Sequence, residues 1–449
     1  MLKKEKKLNV STTFPWLTEQ LQSTFDFTHT PLHIENKQIE LIYIKTVVDG
    51  EKLQSIVIKP FFEMNSMENI EAYLTSLTNQ QEILSEEQVL QELSKGSVAI
   101  GVNGTVLLFD FKKVHTDVPL LSNVEPTIQG PQYALSEDIM TNLNMIRQRY
   151  HHPSLKIDMF TIGNKSNQSL AVVYDQETVK KEALLDIKSR IHSLDNDVFL
   201  ASADVVRYLN NKKRTLLPNT LLTERTDRIS YNLSGGKVII LLDGDSNAIL
   251  APAVFFDFMT AMEDNYHPYW ITKFTTFLRY IGFFNCLALP GLYVGVTSYN
   301  PDIFRSELAL SVAGSRVGVP YPSYIEVLLM LIVMELLTEA SIRLPKAVSA
   351  TATTVGGLIL GTAATEAALT SNIMIIIVSA VAISTFVIPI NEMSFAIRVA
   401  RYVILFFSTI AGMAGLALSL IGFVMFMANK NSFGEDYFKL FIQGKKEET

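Results

Sequence analysis

Four carboxylates stand out because of where they occur. Glu326, Glu335, Glu339 and Glu366 lie inside or beside long apolar runs of a 449-residue chain. A charged side chain at membrane depth costs ~2.5–3.5 kcal/mol on insertion scales, so such a group should be paired, reach an interface or face water. Glu339 and Arg343 stand at i, i+4 in the favourable order, which predicts an ion pair near a membrane surface. Glu335 is also i, i+4 from Glu339, and a like-charged pair on one face is difficult to bury in lipid. Glu326 and Glu366 have no basic partner at helical spacing. Two readings stay open: acidic rings favouring cations in a ring of subunits, or a surface-lying or re-entrant helix at 325–337 that keeps its glutamates near water.

Other chemistry-bearing strings have plainer accounts. Ser234-Gly235-Gly236-Lys237 resembles the end of a phosphate loop, but the first glycine is missing and Val238 stands where a magnesium-binding Ser or Thr belongs. Asp243, Asp245 and Asn247 imitate the start of a calcium loop, yet Ala248 and Val254 occupy the positions that need glycine and a bidentate glutamate. A β-turn is the better reading of both. His151-His152 lacks a second ligand pair and reads as an exposed loop. All seven histidines precede residue 268, and Cys286 is the single cysteine, so a disulfide framework or cysteine metal cluster is excluded. No catalytic constellation, cofactor site or metal site is expected.

The elements that must position the carboxylates follow from composition. Of the 83 charged residues, 15 fall between Pro268 and Asn429, although hydrophobic residues make up 48% of the whole chain. The sequence therefore divides into a charged N-terminal part and an apolar C-terminal part long enough for several bilayer crossings. Residues 1–267 carry a net charge of −8, which disfavours nucleic acid as a partner. Residues 1–7 are basic but lead into no hydrophobic signal region, which fits a cytoplasmic N-terminal part.

Five apolar segments are expected: 280–296, 325–337, 347–369, 373–390 and 402–428, of which four or five would cross. Pro290 predicts a kink or break in the first. Gly357-x-x-x-Gly361 and Ala411-x-x-x-Gly415-x-x-x-Ser419 allow close helix contact, within one subunit or across an oligomer interface. The side of the C-terminus stays open, because the positive-inside rule does not choose between five spans and a re-entrant second segment.

The N-terminal part reads as two small α/β subdomains, 1–125 and 126–267, ahead of a helical membrane domain at 268–429 and a polar tail at 430–449. Asp49-Gly50 predicts a hairpin joining strands at 39–48 and 53–60, and Asn103-Gly104 a second joining 97–102 to 105–111. Helices are expected at 67–77, 85–93, 136–150, 177–192 and 203–209, and strands at 156–161, 169–174 and 238–242. Ser85 reads as a helix cap, and the turn-rich loop 116–132 as the boundary between subdomains. No internal sequence repeat is visible.

Several strings together resemble the A subunit of spore germinant receptors, the GerA family. They are Glu125-Pro126, Gly130-Pro131, the run from Asn144 to Arg149, Leu216-Leu217-Pro218, the run from Thr223 to Asp227, and Leu242-Asp243-Gly244. In the apolar part they are Val319-Pro320-Tyr321-Pro322 and the run from Glu335 to Pro345. Thr226 stands where the family usually has Pro, Tyr133-Ala134 where it has Gly-Phe, and the usual proline-rich tail is missing. The resemblance implies a non-enzymatic protein of the spore inner membrane, working with B and C subunits as an oligomeric, cation-conducting element in nutrient-triggered germination. The alternatives from other classes are a secondary transporter and a non-conducting scaffold.

Overall fold

The computed structural model describes residues 8–34, 37–113, 122, 125, 127, 129–210 and 215–439. Residues 1–7, most of the expected boundary loop at 116–132 and tail residues 440–449 lie outside the described residues. The chain divides into two compact units: Met1–Lys213 with Thr220–Pro252, and Arg214–Asn219 with Ala253–Thr449.

The first unit holds two five-stranded antiparallel sheets. One combines β1 (Phe27–Ile34), β2 (Lys37–Ile44), β3 (Gln80–Gln81), β4 (Ser97–Val102) and β5 (Thr105–Asp110) in the order β1-β2-β4-β5-β3. The other combines β6 (Leu155–Ile162), β7 (Gln168–Asp175), β8 (Leu221–Thr223), β9 (Val238–Leu242) and β10 (Ala248–Ala251) in the order β6-β7-β9-β10-β8. Each β4 and β9 residue is buried because helices cover both faces. Around the first sheet, Phe14, Leu17, Val89 and Leu93 pack on one face and Leu53, Val57, Phe61, Ile70 and Leu74 on the other. This is α/β architecture with antiparallel rather than parallel sheets.

The two sheets share one strand order, and their elements follow one sequence: helix, two strands, two helices, strand, helix, two strands. The unit is therefore a structural duplication that the sequence does not announce. A trace survives at one junction: Leu93-Ser94-Lys95-Gly96-Ser97-Val98 corresponds to Leu233-Ser234-Gly235-Gly236-Lys237-Val238. Gly96 (φ +115°) and Gly236 (φ +81°) end the helix ahead of the matching strands β4 and β9. Any Cβ on Gly236 would collide with the Thr178 carbonyl, so the phosphate-loop-like string is a helix stop.

The run from Asn144 to Arg149 forms the seam between the subdomains. Asn144 Nδ2 donates to the Thr46 carbonyl (2.6 Å), Gln148 Nε2 to the Lys113 carbonyl (3.0 Å), and Arg147 grips Asp26 through two nitrogens at 2.7 and 2.8 Å. Arg147 and Asp26 side chains are 1% exposed. Burial alone would raise the Asp26 carboxyl; the Arg147 guanidinium and the Thr46 and Thr24 hydroxyls hold it below the usual carboxylate range.

The Asn103-Gly104 hairpin forms, with both residues at positive φ, and Ser85 caps its helix by accepting from Gln88 N at 3.2 Å. The Asp49-Gly50 hairpin does not form. Asp49 accepts from Lys52 N (3.1 Å) as a helix cap, residues 50–63 are helical, and β2 pairs instead with β1 and β4. Aspartate suits a cap as well as a turn, and the apolar spacing of Leu53, Val57 and Phe61 favours the helix.

The second unit is helical, and contacts between levels fix the direction of each helix. Tyr269–Tyr299 is continuous through Pro290, which is buried inside it. The expected break is therefore absent, and a neighbouring helix packs closely here, Ser408 Oγ donating to Gly291 O at 2.6 Å. Ser323–Arg343 runs antiparallel to it, since Ser323 meets Ser298 at one end while Glu335 joins Arg401, which touches Cys286, further along. Lys346–Glu366 returns, packing Gly356 and Gly357 against Leu337. Asn372–Val387 runs back again, with Thr385 on Cys286 and Val387 on Gly282.

Asn391–Ala428 is not one long span. At Ala411 (φ −123°, ψ 16°) and Gly412 (φ 57°, ψ −135°) the backbone leaves the helix. The first arm climbs alongside Tyr269–Tyr299, with Arg401 beside Cys286 and Ser408 beside Gly291. The second arm descends: Met413 lies on Gly295, Leu416 on Gly291, and Gly415 abuts the Phe407 carbonyl of the first arm. The expected fifth segment at 402–428 is thus the tip and return of a helical hairpin. The unit makes six antiparallel passes, and 430–438 comes back to where the first pass begins. There Ser432 Oγ donates to Asn219 O (2.8 Å), Tyr437 O accepts from Phe255 N (2.9 Å), and Phe255 stacks on Phe283. This side is called proximal below.

Candidate functional site

The four carboxylates do not share one site. Glu326 lies on the distal side, buried, and its Oε1 accepts from Ser371 N (2.7 Å), Ser371 Oγ (2.7 Å) and Thr370 Oγ1 (3.2 Å). Ser371 is the cap of Asn372–Val387, so the carboxylate also meets the positive end of that helix. Arg316 Nε stands 3.3 Å from the other oxygen. The missing partner at helical spacing is supplied by the preceding short helix, Ser306–Ser315, whose C-cap is Arg316.

Glu335 is held by two arginines. Arg398 Nη2 and Arg401 Nη2 take one carboxylate oxygen each, joining Ser323–Arg343 to the rising arm of the hairpin. Arg401 is fully buried, its Nη1 3.9 Å from Cys286 Sγ. The like-charge conflict with Glu339 does not arise, because Glu339 points to the surface and pairs with Arg343 at 2.6 Å, as its spacing predicts. Glu366 is exposed at the C-terminal end of its helix.

The small residues separate as well. Gly357 faces Leu337 of the same chain, whereas nothing stands within 4 Å of a Cβ placed on Gly361. Ala411 forms the hairpin tip, Gly415 its inner wall, and Ser419 Oγ donates back to Leu416 O at 2.9 Å. That motif serves a contact inside the chain. The tip needs two residues that spacing rules do not find. Tyr299 OH donates to the freed carbonyls of Thr409 (2.5 Å) and Ile410 (3.3 Å), and a Cβ on Gly412 would sit 2.7 Å from its ring.

In the first unit the remaining strings hold structure together. Arg225 bonds Asp227 (2.7 Å) and the carbonyls of Glu125 (3.1 Å) and Pro131 (3.0 Å), and Arg228 pairs with Glu125 at 3.0 Å. Asp245 accepts from Ser202 N and Asn247 N in a turn, and His152 Nδ1 meets Ser154 Oγ at 2.6 Å. Among the described residues, no group of three or more His, Cys, Asp or Glu side chains is placed to share a metal ion.

A family profile described as Bacillus/Clostridium GerA spore germination protein matches residues 16–449. The chain belongs to the GerA family. This GerA chain is 31% identical over 401 residues to spore germination protein GerLA of Bacillus cereus, covering 83% of this chain and 81% of the relative. It is 32% identical over 414 residues to GerQA of the same species, covering 90% and 82%. It is 31% identical over 423 residues to the uncharacterized membrane protein YfkQ of Bacillus subtilis, covering 91% and 81%. The N-terminal domain of the A subunit of the Bacillus megaterium spore germinant receptor GerK3 aligns with TM-score 0.42 at 19% identity, over 56% of this chain and 99% of that domain. By length and composition Tyr269–Tyr299 of the GerA chain is apolar enough to cross a membrane, as is the stretch Asn391–Ala428, which folds back on itself at Gly412.

Proposed function

We propose that this chain is the A subunit of a spore germinant receptor, with its helical unit embedded in the inner membrane beside B and C subunits and further copies of itself. Family membership over residues 16–449 carries the proposal, supported by the apolar six-pass layout. The N-terminal unit lies in the cytoplasm on this reading. Lys273, Arg279, Arg343 and Lys430 all sit toward the proximal side, while Arg305 and Arg316 flank the distal one, the asymmetry of a cytoplasmic proximal face. The hairpin of the last two arms supports this reading, because an even number of passes returns both ends of the helical unit to one side.

The mechanism proposed is nutrient binding in a partner, a shift of helices in a ring of A subunits, and opening of a cation path. Glu339 and Glu366, both exposed, are the carboxylates best placed to line it. Glu326 and Glu335 would act through the positions of the helices they clamp. Gly361 offers open space for a second copy.

The test is monovalent-cation efflux from liposomes holding the purified chain, alone and with B and C partners plus candidate nutrients. Partner- and nutrient-dependent efflux that falls in Glu339→Gln or Glu366→Gln supports the channel reading. Saturable uptake of one solute by this chain alone would make it a transporter. Absence of flux in every folded combination would make it a scaffold, a reading that the clamped Glu326 and Glu335 favour over transport.

A further inference from the structure

The ionic cluster around Glu335 is not neutral. Arg398 and Arg401 together carry two positive charges against one carboxylate. Among the described residues, no other acid bonds either guanidinium. Arg401 is buried with its Nε lacking any hydrogen-bond partner. Arg398 has only Nη2 on the glutamate, and its side chain is 13% exposed. The opening lies between two helices whose flanking residues, Leu336, Phe395 and Val399, are exposed and apolar. Arg398 also stacks on Phe395, its guanidinium carbon 5.1 Å from the ring centroid, which holds the head at that opening. A surplus guanidinium among apolar helices is stable only with a counter-anion or with access to an interface.

We propose that Arg398, backed by Arg401, binds the phosphate oxyanion of an anionic phospholipid from the proximal leaflet. This rests on the membrane-embedded reading above. Arg398 lies seven residues into its helix and Glu335 eight before the end of its own, so the cluster sits about 10–12 Å inside the proximal ends of the two helices. An arginine at that depth reaches toward the headgroups along its aliphatic stem. The flat guanidinium fork matches phosphate oxygens, whereas exposed Leu336 and Val399 match acyl chains. Glu335 then has a second role, competing with the lipid for the same donors.

The experiment is thermal unfolding of the full chain in neutral detergent, titrated with phosphatidylglycerol or with phosphatidylcholine. Saturable stabilisation by phosphatidylglycerol alone is expected. Arg398→Gln should weaken the apparent affinity roughly tenfold, whereas Glu335→Gln, which removes the competing acid, should strengthen it. Arg398→Lys keeps the charge but loses the fork, and should fall between wild type and Arg398→Gln. Inorganic phosphate separates the sources: no response to it identifies the lipid, while an equal Arg398-dependent response overturns the lipid assignment in favour of a free oxyanion. A phosphatidylglycerol response unchanged in Arg398→Gln, or none at all, overturns the proposal. Carbonate washing of membranes is read in parallel. Release of the chain would overturn the embedded reading itself, whereas retention without a lipid response overturns only this site.

Discussion

At the level of single residues, burial without water separates the groups that matter from those that merely carry charge. Arg147 and Asp26 are both enclosed, so removing one strands the other; Arg147→Met should cost about 3–5 kcal/mol in denaturant unfolding of the full chain. Asp26 is held below its ordinary range, so its contribution is present above that range and is lost as pH falls through the depressed value. Lys430 behaves oppositely. Burial lowers it to about 8, so the folded chain is penalised below that pH and relieved as pH rises toward the unfolded value. Lys430→Met removes that penalty together with the ammonium's bond to the Leu217 carbonyl and its contact with the Tyr437 ring. The variant should therefore lose the strengthening of 430–438 docking that the wild type shows as pH rises through about 8, as read by proteolysis of the C-terminal segment across pH. The Glu339–Arg343 pair was legible because its spacing is local. The partners of Glu335 were not, since Arg398 and Arg401 lie 63 and 66 residues away and periodicity reaches only one turn.

At the level of elements, the helical hairpin makes the sharpest claim. Spin labels at residues 402 and 421, in a Cys286→Ser background, should lie within about 15 Å of each other; a continuous helix would hold their backbones roughly 28 Å apart. Gly412→Ala should disorder the tip, because φ +57° with ψ −135° excludes a Cβ and the Tyr299 ring already fills the space. Tyr299→Phe is gentler, leaving two carbonyls less well satisfied at about 1–3 kcal/mol, measurable as a fall in melting temperature. Elements governed by local rules were readable in the sequence: the Asn103-Gly104 turn, the Ser85 cap, the strands beginning near Lys156 and Ser169. Asp49-Gly50 misled because one aspartate can begin a helix or close a turn, and the choice was made by Leu53, Val57 and Phe61 finding the sheet. Pro290 misled for a related reason: packing of Tyr269–Tyr299 against its neighbours, as at Gly291 and Gly295, carries the helix through the proline, and local sequence does not reveal that packing. Gly412 passed unnoticed as one small residue among many.

At the level of the whole molecule, the two units teach different lessons about what a linear string conceals. The duplicated α/β subdomains share topology but little sequence, because a sheet covered on both faces asks only for apolar residues of suitable size, and many strings meet that demand. Six passes in the second unit predict that residue 435 and residue 302 label from opposite faces of a sealed vesicle; labelling of both from one face would refute the layout. The hairpin has a further consequence for biosynthesis. Its descending arm, 413–428, is shorter than the ~20 residues an independent crossing requires. It therefore cannot partition into lipid by itself and must enter alongside the rising arm, with the tip at Gly412 already turned. A nascent chain stalled between Gly412 and Ala428 would carry an unfinished return stroke with no stable resting place, so the last two passes should be acquired together, late in translation, as one cooperative insertion.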